Sequence, residues 1–277
     1  MSKPAPDQDL VGPYSVRGFS KNRRLLSELY DEYQKKHYMA GYFEVDVTLG
    51  RRLIEDFKKR TGEKISFTGW IAKCVSEAVR GFPEVNAYRW GRKKVVRFED
   101  VDILVIIERR LPGKVIPVPH PIRRSQAKDL LAVSREIRAA QTAPVTEAEQ
   151  LLDRGWKVKV FDLVPRFIRR RVLAKMLRDP FYIKKQGGLI VLTAVGMYTD
   201  TRLWVGGFGG ITTISLALGG IARRLVKQGE EIAEREFLQI TAYLDHDIVD
   251  GGPATRLQAR IVELIETGYG LKELVQG

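Results

Sequence analysis

Apolar positions along the chain follow two rhythms. Spacing of three and four residues predicts helices over residues 20 to about 36 (Leu25, Leu26, Leu29, Tyr30), 50–61 (Leu53, Ile54, Phe57), 67–80, 125–141 and 253–268 (Leu257, Ile261, Leu264, Ile265). Ser20 stands where an N-cap belongs. Alternation and β-branched runs predict strands at 42–47, 86–90, 94–98, 101–108, 114–118, 189–193, 211–218 and 237–244, with Gly91-Arg92 as the turn of a hairpin. Residues 160–183 read as one amphipathic helix. Its apolar side includes Phe161, Leu163, Phe167, Ile168, Val172, Leu173 and Leu177, against Arg166, Arg169, Arg170, Arg171, Lys175 and Arg178. Mixing of the two rhythms predicts an α/β domain with a mixed sheet.

Composition narrows the class. The 277 residues are 44% hydrophobic and 29% charged, values of a globular chain with ample core. No apolar run reaches the length of a membrane helix, and no signal-peptide core opens the chain. The single cysteine, Cys74, excludes an internal disulfide and fits a reducing compartment, so a cytoplasmic location is expected. It falls on the apolar side of helix 67–80 and reads as a packed thiol. A net charge of +13 points to anionic partners such as phosphorylated ligands or lipid head groups. Zinc spacing and nucleic-acid motifs are missing, so neither a metal nor nucleic acid is expected. Residues 1–14 hold three prolines and little apolar content and are expected to form a flexible arm.

Candidate chemistry concentrates near the end, in Asp245-His246-Asp247-Ile248-Val249-Asp250-Gly251-Gly252. A predicted strand precedes it and a helix follows, so His246 stands at a β-to-α corner where side chains can face a cleft. A neutral imidazole there can take a proton from a thiol or hydroxyl. Spacing alone is equally compatible with a surface histidine and a helix-capping aspartate. Of the other two histidines, His37 reads as the end of the first helix, favoured by its dipole, and His120 as a loop residue between prolines. The glycines of Trp204-Val-Gly-Gly-Phe-Gly-Gly210 lack the P-loop and Rossmann spacings and read as close backbone packing or a channel loop.

The Asp-His-x-x-x-Asp-Gly stretch resembles the active-site motif of the 2-oxoacid dehydrogenase acyltransferase (E2) catalytic domains, whose core motif chloramphenicol acetyltransferase shares. Further stretches resemble E2 landmarks in the family's order: Val45-Asp46-Val47-Thr48, Phe82-Pro83-Glu84-Val85-Asn86-Ala87, Val115-Ile116-Pro117-Val118, Leu130 to Ile137, and Gly187-Gly188-Leu189 through Met197. The resemblance spans roughly residue 15 to the end. It implies a chloramphenicol acetyltransferase-like α/β fold, a mixed sheet sandwiched with helices, that forms trimers. A single catalytic domain over 15–277 is expected, with 142–187 as a basic amphipathic insertion where the family has a short link.

By resemblance, His246 is the general base of a direct acyl transfer from coenzyme A. Thr193, where the family has serine, is the oxyanion donor, and Asp250 holds the histidine loop, supported by Gly251. Either Arg24 or Arg23 is expected to pair with Asp250, as an arginine at this place does in the acetyltransferase relatives. Acyl-CoA is the implied substrate, and no lipoyl-lysine motif occurs on this chain. The acceptor is then the dihydrolipoyl arm of another protein, or a hydroxyl or amine. Implied partners are two further copies in a homotrimer, a larger cage, a lipoyl-bearing protein or dehydrogenase subunits, with an anionic membrane surface for the basic insertion. Asp247, where E2 proteins have arginine, and Asp245, where the chloramphenicol enzyme has a second histidine, depart from the pattern. The alternative is a catalytically silent trimeric core that docks a dehydrogenase partner or a membrane.

Overall fold

The computed structural model describes residues 12–111, 114–143, 164–196, 202–207 and 209–276. Helix α1 (Lys21–Tyr33) begins at Ser20, whose hydroxyl accepts from the Arg23 backbone N–H at 3.3 Å. Strand β1 (Tyr38–Asp46) leads to helix α2 (Thr48–Thr61), which stops at Gly62 in the left-handed conformation that a glycine C-cap provides. Helix α3 (Phe67–Gly81) is capped by Ser66 and is buried on almost every side. The hairpin β2 (Ala87–Trp90) and β3 (Lys94–Arg97) turns at Gly91, φ 67°. Strands β4 (Ile103–Leu111) and β5 (Lys114–Ile122) pair antiparallel, followed by helix α4 (Leu130–Thr142) with Asp129 as its cap.

After the next described residues come helices α5 (Arg166–Leu177) and α6 (Pro180–Gln186), then strand β6 (Ile190–Ala194). A long hairpin follows, β7 (Ile214–Gln228) and β8 (Glu231–Asp245). Helix α7 (Gly251–Glu266) and the short α8 (Lys272–Gln276) complete the chain.

The main sheet has the order β1-β8-β7-β6-β4-β5, with β6 parallel to both β4 and β7 and the other pairs antiparallel. Side chains alternate across it. One face carries Ile103, Val105, Ile190, Leu192, Ile214, Leu216, Ile240 and Ala242 into a core shared with α3, α4 and α7. The opposite face carries Leu104, Ile106, Val191, Thr193 and Ala217. A smaller cluster of Tyr88, Leu177, Ile183 and Leu189 joins α5, α6 and the β2–β3 hairpin. Pro117, Pro119 and Pro121 all lie on β5, the edge strand, where a missing backbone donor is tolerated.

Several sequence expectations change. Residues 166–186 form two helices, because Asp179 caps a new helix with Pro180 at its first turn; residues 160–163 of the expected single helix, most of the 1–14 arm and residues 144–163 of the insertion lie outside the described residues. The amphipathic reading of α5 also inverts in part. Arg169 turns inward to bond Glu28 on α1, whereas Phe167 and Val172 are exposed. His120 is a strand residue opposite Val105, 3.5 Å from Glu136, rather than part of a loop. His37 lies past the end of α1 and bonds Asp247, so no helix dipole holds it. Cys74 is buried among apolar side chains, which pushes its thiol pKa up, as a packed core thiol requires.

Trp70 anchors the helical layer. It is fully buried, its indole N–H donates to the Tyr269 carbonyl at 3.0 Å, and its ring fills the space above Gly50. Trp70→Ala is expected to cost about 3–5 kcal/mol of unfolding free energy through the cavity it leaves, read by urea titration.

Candidate active site

The β8-to-α7 corner is built by backbone geometry. The Asp245 N–H donates to the Thr213 carbonyl at 2.9 Å and the His246 N–H to the His37 carbonyl at 2.7 Å. The Ile248 and Val249 N–H groups both return to the Asp245 carbonyl at 3.0 Å, closing the turn. These bonds tie the histidine to β7 on one side and to the segment entering β1 on the other.

Two ion-pair systems lock this corner, and sequence reasoning assigned neither. Asp245, 2% exposed, bonds Lys36 at 2.5 Å. The Lys36 ammonium also lies 4.1 Å from the Tyr88 ring centroid, a cation–π contact. Burial pulls the Lys36 pKa below the ordinary ammonium value, and the Asp245 carboxylate opposes that pull. Asp247 accepts from His37 Nδ1 at 2.9 Å and from Arg89 at 2.6 Å. The hydrogen bond from His37, followed by that from Arg89, holds its carboxyl below the usual carboxylate range against partial burial. The sequence signal was the pair of departures at 245 and 247. Their partners lie far away in the chain, and spacing says nothing about them.

His246 itself is half exposed. Its Nδ1 lies 3.8 Å from Asp250 Oδ1, which leaves Nε2 as the nitrogen turned to no carboxylate among the described residues. Asp250 occupies the N-cap position of α7, but its side chain caps no backbone donor and remains exposed. Neither Arg23 nor Arg24, both on the exposed side of α1, pairs with Asp250 within the chain among the described contacts. Gly251 opens α7, and a Cβ there would meet no atom within 4 Å.

Thr193 is on β6, opposite Ile106 of β4 and Ala217 of β7. The end of β6 rests on a β-bulge of β7 between Leu218 and Ile221. Val195 N–H donates to the Leu218 carbonyl at 3.0 Å, and Gly196 lies so close to the Gly219 carbonyl that a side chain could not fit. Thr193 opens into a cavity of about 420 Å³ between the outer sheet face and the glycine-rich segment 203–210. In that segment Gly209 packs on the Tyr38 ring, and the Gly207 N–H donates to the Tyr243 hydroxyl at 2.8 Å. Gly209 therefore serves close packing at a cavity wall, whereas a Cβ at Gly207 would meet no atom within 4 Å. On the helical side of the same strand end, a second cavity of about 660 Å³ is bordered by Arg51, Arg202 and Arg223 together with Ala194 and Gly196. Arg51 and Arg223 are both paired to Glu236.

One chain does not bring His246 to Thr193. Thr193 is in register with Ala217, and Ala217 with Thr241, five residues before His246 on β8. At about 3.3 Å per residue along the strand and about 4.8 Å between strands, the two groups are roughly 15–20 Å apart.

The six-stranded mixed sheet with its flanking helices has the fold of solved dihydrolipoamide acetyltransferase structures. The chain is similar to the crystal structure of Azotobacter vinelandii dihydrolipoamide acetyltransferase with a TM-score of 0.66 at 14% identity, covering 98% of this chain and 100% of that one. A probable dihydrolipoamide acetyltransferase from Listeria monocytogenes gives a TM-score of 0.64 at 18% identity, covering 93% and 96%. Residues 23–149 match the family model of the 2-oxoacid dehydrogenases acyltransferase (catalytic domain). That match ends before β6 and the histidine corner.

Among curated proteins, the lipoamide acyltransferase component of the branched-chain alpha-keto acid dehydrogenase complex of Bacillus subtilis is 22% identical over 96% of this chain and 57% of its own length. A dihydrolipoyllysine-residue succinyltransferase component of the 2-oxoglutarate dehydrogenase complex from Bartonella vinsonii is 25% identical over 91% and 53%. The chain thus spans about half the length of the curated relatives it matches.

Two outcomes are expected at this corner. Lys36→Met leaves Asp245 buried without its cation and is expected to cost about 3–5 kcal/mol by urea unfolding, most of it recovered in Lys36→Met/Asp245→Leu. Asp247, with a depressed folded pKa, contributes stability that is present above its unfolded pKa and lost as pH falls through the folded value. Asp247→Asn is therefore expected to flatten the acid limb of the stability curve below about pH 4, read by unfolding titrations between neutral and acid pH.

Proposed function

We propose that the chain is an E2-like acyltransferase that moves an acyl group between coenzyme A and a thiol, hydroxyl or amine acceptor, in a site completed between two copies of itself. The observation that carries this reading is His246. Its imidazole is exposed on a rigid strand-to-helix corner, with a carboxylate beside Nδ1, in a fold whose solved relatives are dihydrolipoamide acetyltransferases. The Azotobacter vinelandii structure concerns the catalytic role of a serine, a histidine and an asparagine four residues after that histidine. Thr193, His246 and Asp250 offer a hydroxyl, an imidazole and a polar side chain, the last again four residues after the histidine.

The chemistry follows from these groups. His246 takes the proton of the acceptor thiol, and the sulfur bonds to the thioester carbonyl carbon as the carbonyl oxygen becomes an oxyanion. Thr193 donates its hydroxyl hydrogen to that oxygen, which matters most in a site closed to water. Collapse breaks the bond to the coenzyme A sulfur, and that thiolate takes back the proton from the imidazolium. No acyl-enzyme forms, so no nucleophilic serine or cysteine is needed. Asp250 stands 3.8 Å from Nδ1, on the side of the ring away from the reacting Nε2.

The distance between His246 and Thr193 in one chain requires a neighbouring copy to bring the imidazole to the hydroxyl, as a trimer would. The arginine-bordered cavity at the end of β6 is suited to the phosphates of coenzyme A. A dihydrolipoyl arm carried by another protein is the acceptor that the relatives favour, with dehydrogenase subunits as further partners.

Release of free thiol from acyl-CoA tests the reading. His246→Ala is expected to lower turnover by about 10²–10⁴-fold. Thr193→Val is expected to lower kcat by about 10²–10³-fold, with Thr193→Ser retaining activity. Mixing the two inactive variants under exchange conditions is expected to restore part of the activity, since some interfaces then carry both intact groups. Full turnover in His246→Ala would remove the assignment.

A further inference from the structure

The acyl group itself is addressed by the cavity on the outer sheet face. We infer that it is an acyl-chain pocket selecting an uncharged apolar group larger than acetyl, branched or medium in length, over acetyl and over dicarboxylate-derived acyl groups. This inference rests on the role given to Thr193 in the proposed function.

Three observations carry it. The first is position. Thr193 borders the cavity, so a carbonyl oxygen held by its hydroxyl places the attached acyl carbons against the same wall. The neighbours of Thr193 by register are Ile106 and Ala217, and the next row outward is Leu104 and Val191. The second is chemistry. The described lining is apolar side chains, glycines and uncharged polar groups such as Tyr33 and Tyr243. Burial pushes the Tyr33 phenol up to about 12, so it stays neutral through the working pH range. A succinyl-type carboxylate would lose its hydration there without gaining a cation, which strongly disfavours it. The third is size. About 420 Å³ lies within the range of pockets for whole small ligands, about 300–1,000 Å³, far beyond the needs of one methyl group.

Ala217 explains the width. It stands between Thr193 and Thr241 in the sheet row, where a larger residue would close the floor. The glycines at 206, 207, 209 and 210 keep the facing wall thin.

The test measures kcat/KM of the full-length protein, in its native oligomer, across acetyl-, isobutyryl-, octanoyl- and succinyl-CoA with dihydrolipoamide as acceptor. Each buried methylene is worth about fourfold. Isobutyryl- or octanoyl-CoA is expected to exceed acetyl-CoA by at least about tenfold, and succinyl-CoA to be the poorest donor. Leu104→Trp, or Val191→Phe if the first variant melts early, is expected to lower the octanoyl-to-acetyl ratio of kcat/KM by at least about tenfold.

Calorimetric binding of octanoyl-CoA against free coenzyme A is read in parallel, independent of turnover. Preference for acetyl- or succinyl-CoA would overturn the pocket assignment and leave the acyltransfer reading intact. Absence of transfer from every donor, with octanoyl-CoA still bound more tightly than coenzyme A and weakened by the filling variants, would overturn the reaction and keep the pocket. Equal binding of octanoyl-CoA by the native and filled proteins would overturn the pocket whatever the rates.

Discussion

A buried ion pair between Lys36 and Asp245 is the constraint on which the histidine corner depends. Two charges withdrawn from water stabilise a fold only if each is well matched, and one without the other is destabilising. The pair therefore admits one arrangement of the segment after α1 against the end of β8. That arrangement also sets the His37 carbonyl under the His246 N–H and the His37 ring beside Asp247. His246 is exposed yet stands on a corner fixed from both flanks. A mobile histidine would lose the orientation that proton transfer needs.

The sheet supplies the second half of the proposed site by a different device. β6 is short, runs parallel to both neighbours and ends where β7 bulges. Close approach of Gly196 to Gly219 seats the end of β6 against the bulge, and the strand end borders cavities on both faces. One is apolar and the other is bordered by arginines. An acyl thioester has the same division, with an apolar acyl group at one end and phosphates at the other.

Much of this was legible in the sequence where local chemistry decides. The hairpin at Gly91, the cap at Ser20 and helices α2, α3 and α7 follow from glycine, hydroxyl caps and apolar spacing, and they appear close to where spacing put them. The motif around His246 likewise gave the strand, the corner and the helix. What failed was decided by tertiary partners. His120 looked like a loop residue because prolines flank it, yet an edge strand accommodates prolines. Apolar spacing over 160–183 predicts one helix because it runs through Asp179-Pro180, but that dipeptide starts a new one. Arg169 reads as solvated from spacing alone, but Glu28 of α1 lies beside it. For the tie between Lys36 and Asp245 the sequence marks only the departure at 245, since 209 positions separate the partners.

The prolines of β5 have a consequence for how copies of this chain can meet. Three of them alternate along one margin of the sheet, and the strand still pairs with β4. Their missing amide hydrogens must then fall on the outward side. A foreign strand approaching there finds carbonyls without complementary donors, so the sheet cannot be lengthened across that border into a fibre. Growth by ribbon addition is closed on this side, and copies that meet there must do so through side chains.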